Sequence, residues 1–243
     1  MKKMPKPPQS CARDGFVINP QPTETSCGQT CLEAVYRFHQ HSVPVDTLIA
    51  EIAQNDDGGT LSVQLALNAL RHGFKTTIYS YNIRVFDPTW ENLETQEIAQ
   101  KLRLRLKRTR KGKARFNLES YIEYLEQGGK VRFNELTPAL LEELLDPGIP
   151  ILTGLSATHL YRYPRSHSNG VDDDIYGNPE GHFVLLLEYL PKTRQVVVAD
   201  PYQKNPFCAD LIYTVDVFRL INAIMLGIIT YDANMLMIKP AKA

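Results

Sequence analysis

Residues 181–202, GHFVLLLEYLPKTRQVVVADPY, limit the fold more than any other part of the chain. Two apolar runs flank Pro191-Lys192-Thr193-Arg194, the composition of a strand, a bend and a second strand. Residues 183–190 and 195–199 are therefore expected to pair as a hairpin. Folding at the bend returns Asp200 to a position opposite His182 or within a few residues of it, and neighbouring strands run only about 4.8 Å apart. A carboxylate so placed can accept the imidazole N–H, fix the tautomer and stabilise the imidazolium. Taken singly, His182 reads as an ordinary strand-end histidine and Asp200 as the turn-former before Pro201.

The rest of the chain puts helical patterns first and strands last. Residues 27–38 carry Cys31, Ala34, Val35 and Phe38 at helical spacing, with Thr25 or Ser26 available as N-cap. Residues 44–54 and 60–72 read as two further helices, the second stopped by Gly73, and residues 74–81 alternate as a strand. Helices follow over 117–126 and 137–145, then strands over 149–155 and 235–239, with a helix over 216–225. This order predicts an α+β arrangement in two lobes with a cleft between them. With 243 residues, 43% of them hydrophobic, the chain can bury one substantial core. The expected organisation is a loose tail over residues 1–19 and one domain over 20–243, with residues 87–134 as a basic insertion.

Within that insertion, residues 101–115 (KLRLRLKRTRKGKAR) hold nine basic residues and no acid. KLRLRL alternates with period two, so a strand and a helix both remain open. The run reads as a solvated basic face, with an acidic partner as the alternative. Nucleic acid is not expected, since no zinc-finger, RNA-binding aromatic or helix-turn-helix signature accompanies it, and 27 basic residues balance 27 acidic ones. Four cysteines are too few for a disulfide scaffold at this length, which favours a reducing, cytoplasmic setting. The N-terminal residues lack the apolar run of a signal peptide, and no apolar stretch reaches the length of a membrane span.

The sharpest chemical candidate is Cys27, at the threshold of the first helix in QPTETSCGQTCLEAVYRF. Unpaired N–H groups and the positive end of the helix dipole favour thiolate over thiol there. Cys31, one turn on, falls on the core face and reads as structural. A nucleophile needs a base and something to hold the base, and the hairpin supplies both in His182 and Asp200. Oxyanion donors would be the Cys27 backbone N–H and the amide of Gln21, though a loop glutamine is more often simply solvated. Gly28 would permit close approach of backbone or substrate, or is only a tolerated first-turn glycine.

Gln21, Cys27-Gly28, a distant Gly181-His182 before an apolar strand, and Ala199-Asp200-Pro201 together resemble the papain-like cysteine peptidases that cut double-glycine leaders from bacteriocin precursors, and their stand-alone relatives. The resemblance implies Cys27 as nucleophile, His182 as general base then acid, Asp200 as its orienter and Gln21 as oxyanion donor. It implies a papain-like fold in which a helical lobe carries the cysteine and an antiparallel sheet carries the histidine and aspartate. A peptide or protein substrate and no cofactor follow from it. The transporter-linked members carry membrane spans and a nucleotide-binding domain that have no counterpart here. An aminoacyl or peptidyl transferase would use the same thiolate, and a non-catalytic peptide-binding module would keep the fold without needing all four residues.

Other features carry less. His39 and His41 follow the two cysteines but form a poor four-ligand metal site. His159 is a reserve base without an adjacent carboxylate. Residues 171–180, rich in aspartate, precede His182 and could gate a cleft. NDDGGT at 55–60 lacks the lysine and the strand-to-helix setting of a phosphate loop.

Overall fold

The computed structural model describes residues 15–54, 59–208, 210–230 and 233–241. Most of the expected tail, Cys11 and the start of the 55–60 motif lie outside them. Among the described residues the strands form one mixed sheet of β1 (Phe74–Ser80), β2 (Lys130–Arg132), β3 (Ile151–Ser156), β4 (Gly181–Leu190), β5 (Gln195–Ala199), β6 (Ile212–Asp216) and β7 (Asn234–Pro240). Their order is β2-β1-β7-β3-β4-β5-β6. Every pairing is antiparallel except β1 with β2.

Alternation along the strands sends side chains to two faces, and helices cover both. One apolar cluster joins Phe183, Leu185, Leu187, Val197 and Ala199 to α1 (Cys27–Phe38), α3 (Ser62–Arg71) and α5 (Lys113–Glu126). The other joins Val184, Leu186, Val196 and Val198 to α6 (Pro138–Leu145), α7 (Ala157–Tyr161) and α8 (Val217–Leu226). A seventh helix, α2 (Val45–Glu51), adds Leu48 to the first cluster, and α4 (Thr95–Arg108) packs on α5. The structure is thus α+β, with a helical layer carrying Cys27 against the sheet that carries His182 and Asp200. The expected hairpin is β4–β5, and its ladder shifts register between Leu186 and Glu188, a β-bulge at Leu187.

Several local expectations are corrected. β2, β6 and α7 were not anticipated; each has five residues or fewer. Residues 101–108 are helical, within α4, because Leu102 is buried and Leu106 packs beside it one turn on, while Leu104 faces solvent. A capping box between Glu94 and Glu97 starts that helix. Arg103 pairs with Glu126, Arg115 with Glu119, and Arg105 donates to the carbonyls of Val85 and Arg84, so part of the basic run is neutralised within the chain. Ser26 stands at the N-cap of α1, yet its hydroxyl turns back to Thr23 instead of capping the helix. Gly73, at φ +83°, ends α3 as expected.

Gly129 has a packing role the sequence did not announce. The buried ring of Tyr124 lies on it while the Tyr124 hydroxyl donates to the Lys130 carbonyl, and a Cβ at 129 would sit 2.2 Å from Cε2. Gly129→Ala is expected to cost about 1–3 kcal/mol of stability, as overpacking does. A urea melt with an unchanged midpoint would contradict this.

Candidate active site

Cys27 is the first residue of α1, so its own N–H and those of Gly28 and Gln29 have no carbonyl of a preceding helical turn to bond; the first bond of the helix is Thr30 N–H to Ser26 carbonyl, 3.0 Å. Gly28 lets the helix end lie close to the sheet: a Cβ there would come within 3.1 Å of Leu65 and 3.2 Å of Phe183. Cys27 is partly exposed. Cys31 is fully buried with its thiol directed at the Phe183 carbonyl, 3.4 Å away. Burial, with the nearby Cys27 and Asp200, pushes the Cys31 thiol well above its ordinary value, which keeps it inert.

His182 and Asp200 meet as the hairpin predicts. Leu185 pairs with Ala199, so position 200 falls opposite Val184, two residues from His182 on the same face. His182 Nε2 lies 2.8 Å from Asp200 Oδ1. That leaves Nδ1 as the ring nitrogen able to exchange a proton with sulfur. Burial alone would lower the imidazole pKa, but the Asp200 carboxylate and a hydrogen bond and charge from Cys27 overcome it and raise it to about 10. Asp200 is completely buried; desolvation opposes its charge, and the imidazolium, Tyr161 and the Tyr202 backbone N–H hold its carboxyl below the usual carboxylate range.

Two of the groups that secure this carboxylate escaped the sequence reading. Tyr161, from α7, and Tyr213, from β6, donate their hydroxyls to Asp200 Oδ2 at 2.7 and 2.8 Å, while Tyr202 N–H donates to Oδ1 at 2.9 Å. With His182 these contacts satisfy both oxygens. The only signal in the sequence was an unusual density of tyrosine around 161–163, 202 and 213. Tyr161 and Tyr202 also stand within about 6 Å of the His182 ring, at 6.0 and 6.1 Å between centroids, and limit its rotation.

Gln21 is tied to the same corner by its backbone N–H, which donates to the Pro201 carbonyl at 3.0 Å. Its side-chain amide donates to the carbonyls of Thr23 and Glu24, and its Oε1 is buried without a partner. To serve an oxyanion, one N–H must turn from those carbonyls. His159 lies away from this group, in the wall of a cavity beside α7. His39 bonds the Ile238 carbonyl and His41 bonds His72, so these rings are engaged with the chain itself. Asp173 of the loop over residues 171–180 is bound to His167 and to its own backbone. No helix among the described residues is long and apolar enough to cross a membrane.

Comparison with known proteins finds no curated protein that matches the chain. Among solved structures, the peptidase domain of Streptococcus ComA, a bifunctional ABC transporter involved in a quorum-sensing pathway, aligns over 93% of this chain and 98% of its own at 12% identity, TM-score 0.45. A double-glycine-motif protease from an AMS/PCAT transporter, in complex with its leader peptide, aligns over 92% and 91% at 12% identity, TM-score 0.44. A putative C39-like peptidase from Bacillus anthracis aligns over 92% and 94% at 12% identity, TM-score 0.48. Residues 16–104, the part of the chain that holds Gln21 and Cys27, match the model of the Peptidase C39 family, as the resemblance read from the sequence implied.

Proposed function

We propose that the chain is a cysteine peptidase or amidase acting on a peptide or protein, with Cys27 as nucleophile, His182 as general base and acid and Asp200 as its orienter. The observation that carries this reading is the serial contact of Cys27 with His182 and of His182 with Asp200 at the N-terminus of α1. An imidazole whose pKa is raised to about 10 holds its proton at neutral pH, and the proton is drawn from the thiol. The thiolate attacks the amide carbonyl carbon, and the Cys27 backbone N–H, with a Gln21 amide turned from its loop, receives the oxyanion. Collapse breaks the C–N bond while His182 delivers its proton to the departing amine. Water then attacks the thioester, giving a proton to His182, and release of the acid restores Cys27. The three unbonded cysteines among the described residues support a reducing, cytoplasmic setting. We take residues 20–243 as one domain with 87–134 inserted.

A thiol-reactive peptide analogue, mapped by mass spectrometry, tests the assignment. It is expected to label Cys27, and His182→Ala is expected to suppress labelling at least about tenfold, since Brønsted-type activation by the base is lost. Labelling confined to Cys208 or Cys11 would overturn it. Product analysis with and without an added amine separates hydrolysis from acyl transfer.

A further inference from the structure

Behind α7 lies a cavity of about 370 Å³, lined by Ser156, His159, Arg162, Arg165, Leu226 and Ile229 among others. Three arginines stand in or beside this region. Arg162 and Arg165 line the cavity, and Arg219, on α8, is close enough that its charge and that of Arg162 both depress the His159 pKa, after burial. Three nearby carboxylates hydrogen-bond to other groups, although the charge of Asp216 still acts on Arg219 and that of Arg165 on Asp173. Asp216 accepts the N–H groups of Phe218 and Arg219 at the start of α8, Asp173 holds His167, and Glu180 accepts from the Ser166 hydroxyl. Among the described residues none of the three arginines has an ion pair; Arg165 donates one nitrogen to the carbonyls of Asp174 and Ile175, and the Arg219 Nε is buried with no acceptor. Burial first, then Arg162, lowers the Arg219 pKa, against a smaller opposing pull from Tyr213 and Asp216.

The floor is apolar and open to solvent, with Leu226 41% and Ile229 48% exposed. Cations above methyl groups suit a carboxylate on a short methylene stem better than an inorganic anion. The cavity also adjoins the proposed catalytic group. α7 presents Tyr161 to Asp200 and, on its other side, His159 to the cavity. Pro179, in the wall, precedes His182 by three residues, so their Cα atoms are at most roughly 11 Å apart. That is the reach of a few extended residues of a bound peptide.

We propose that this cavity is a recognition pocket for a carboxylate of an acidic peptide, held by Arg162, Arg165 and Arg219 beside the site of cleavage. The proposal rests on the peptidase reading for its position along a substrate, but binding itself does not require catalysis. The test therefore uses the full chain carrying Cys27→Ser and measures affinity by calorimetry for three capped tetrapeptides. These are acetyl-Ala-Glu-Ala-Ala-amide, acetyl-Ala-Gln-Ala-Ala-amide, and the glutamine peptide with a free terminal carboxylate. At low ionic strength one carboxylate peptide is expected to bind at least about tenfold more tightly than the doubly neutral one, with the advantage shrinking in salt. The glutamate arm reports a side-chain carboxylate and the free-acid arm a terminal one. Arg162→Asn, chosen because Arg162 is left-handed at φ 57° and asparagine tolerates that conformation, is expected to erase the preference. Arg219→Gln should do the same while keeping a side chain over Phe207, whose ring the guanidinium covers at 5.1 Å. Equal binding of all three peptides, a preference that survives both substitutions, or inorganic phosphate competing as well as the acidic peptide would overturn the pocket. Failure of the peptidase reading would appear separately, as preference retained in Cys27→Ser with no cleavage of any acidic peptide by the unsubstituted chain.

Discussion

Cys27→Ser is expected to lower turnover of a cleavable peptide by about 10³-fold or more while leaving the melting temperature nearly unchanged. The sulfur can lose its proton to an imidazole raised to about 10, whereas a serine hydroxyl has far too little acidity for that transfer. Oxygen replaces sulfur with little change in volume at a partly exposed helix terminus, so packing is hardly disturbed. Turnover under saturating peptide and a thermal melt on the same preparation give both readings. A variant that keeps a tenth of the activity would remove Cys27 from the mechanism, and with it the enzyme proposed here. A non-catalytic binding module predicts instead no turnover in either protein, with peptide binding unchanged by the substitution.

Asp200→Asn is expected to reduce turnover by roughly 10³–10⁴-fold, and it should also alter stability in a pH-dependent way. Oδ1 accepts from His182 and Tyr202 N–H, and Oδ2 from two tyrosine hydroxyls. An asparagine amide cannot accept on both sides. Either its NH₂ meets the tyrosines, which must rotate their hydroxyls, or it meets His182 and the Tyr202 N–H, which forces the imidazole into the other tautomer and sets donor against donor. Each buried group left unsatisfied costs about 1–3 kcal/mol. In the unsubstituted protein, His182 is raised from 6.5 to about 10, so its contribution to folding is complete below about pH 6.5 and fades as pH rises toward 10. Asp200 is lowered from 3.8, so its contribution is present above that value and is lost as pH falls through its depressed folded pKa. The variant should lack the alkaline fade. The difference in urea midpoint between the two proteins is therefore expected to be largest near pH 6 and to shrink toward pH 10; a constant difference would contradict the charged pair.

The features legible beforehand were those written in short, local patterns. The hairpin, the helix opening at Cys27 and the His182–Asp200 pair all follow from spacing within about twenty residues. The residues that complete the site do not. Tyr161 and Tyr213 reach Asp200 from 39 and 13 residues away, on elements of five residues each, too short for hydrophobic periodicity to register. In 101–108 the alternation of leucine with lysine and arginine fits a strand by pattern, but all three residue types are good helix formers and only every second leucine finds a core. The failed Ser26 cap has the same origin: its hydroxyl had a competing partner in Thr23. Side chains with two available local partners cannot be assigned by type alone.

The irregularity at Leu187 has a consequence for how this site tolerates insertions and deletions. Before it, even-numbered residues of β4 face α8 and odd-numbered ones face α1; after it, Tyr189 packs with the first group and Leu190 with the second. Counting back from the bend without that extra residue, Asp200 would sit opposite Leu185, and its carboxylate would emerge on the side of the sheet away from His182. Parity between bend and bulge thus decides whether acid and base can meet, so a change of one residue between Gly181 and Asp200 separates them, whereas a change of two leaves them facing each other.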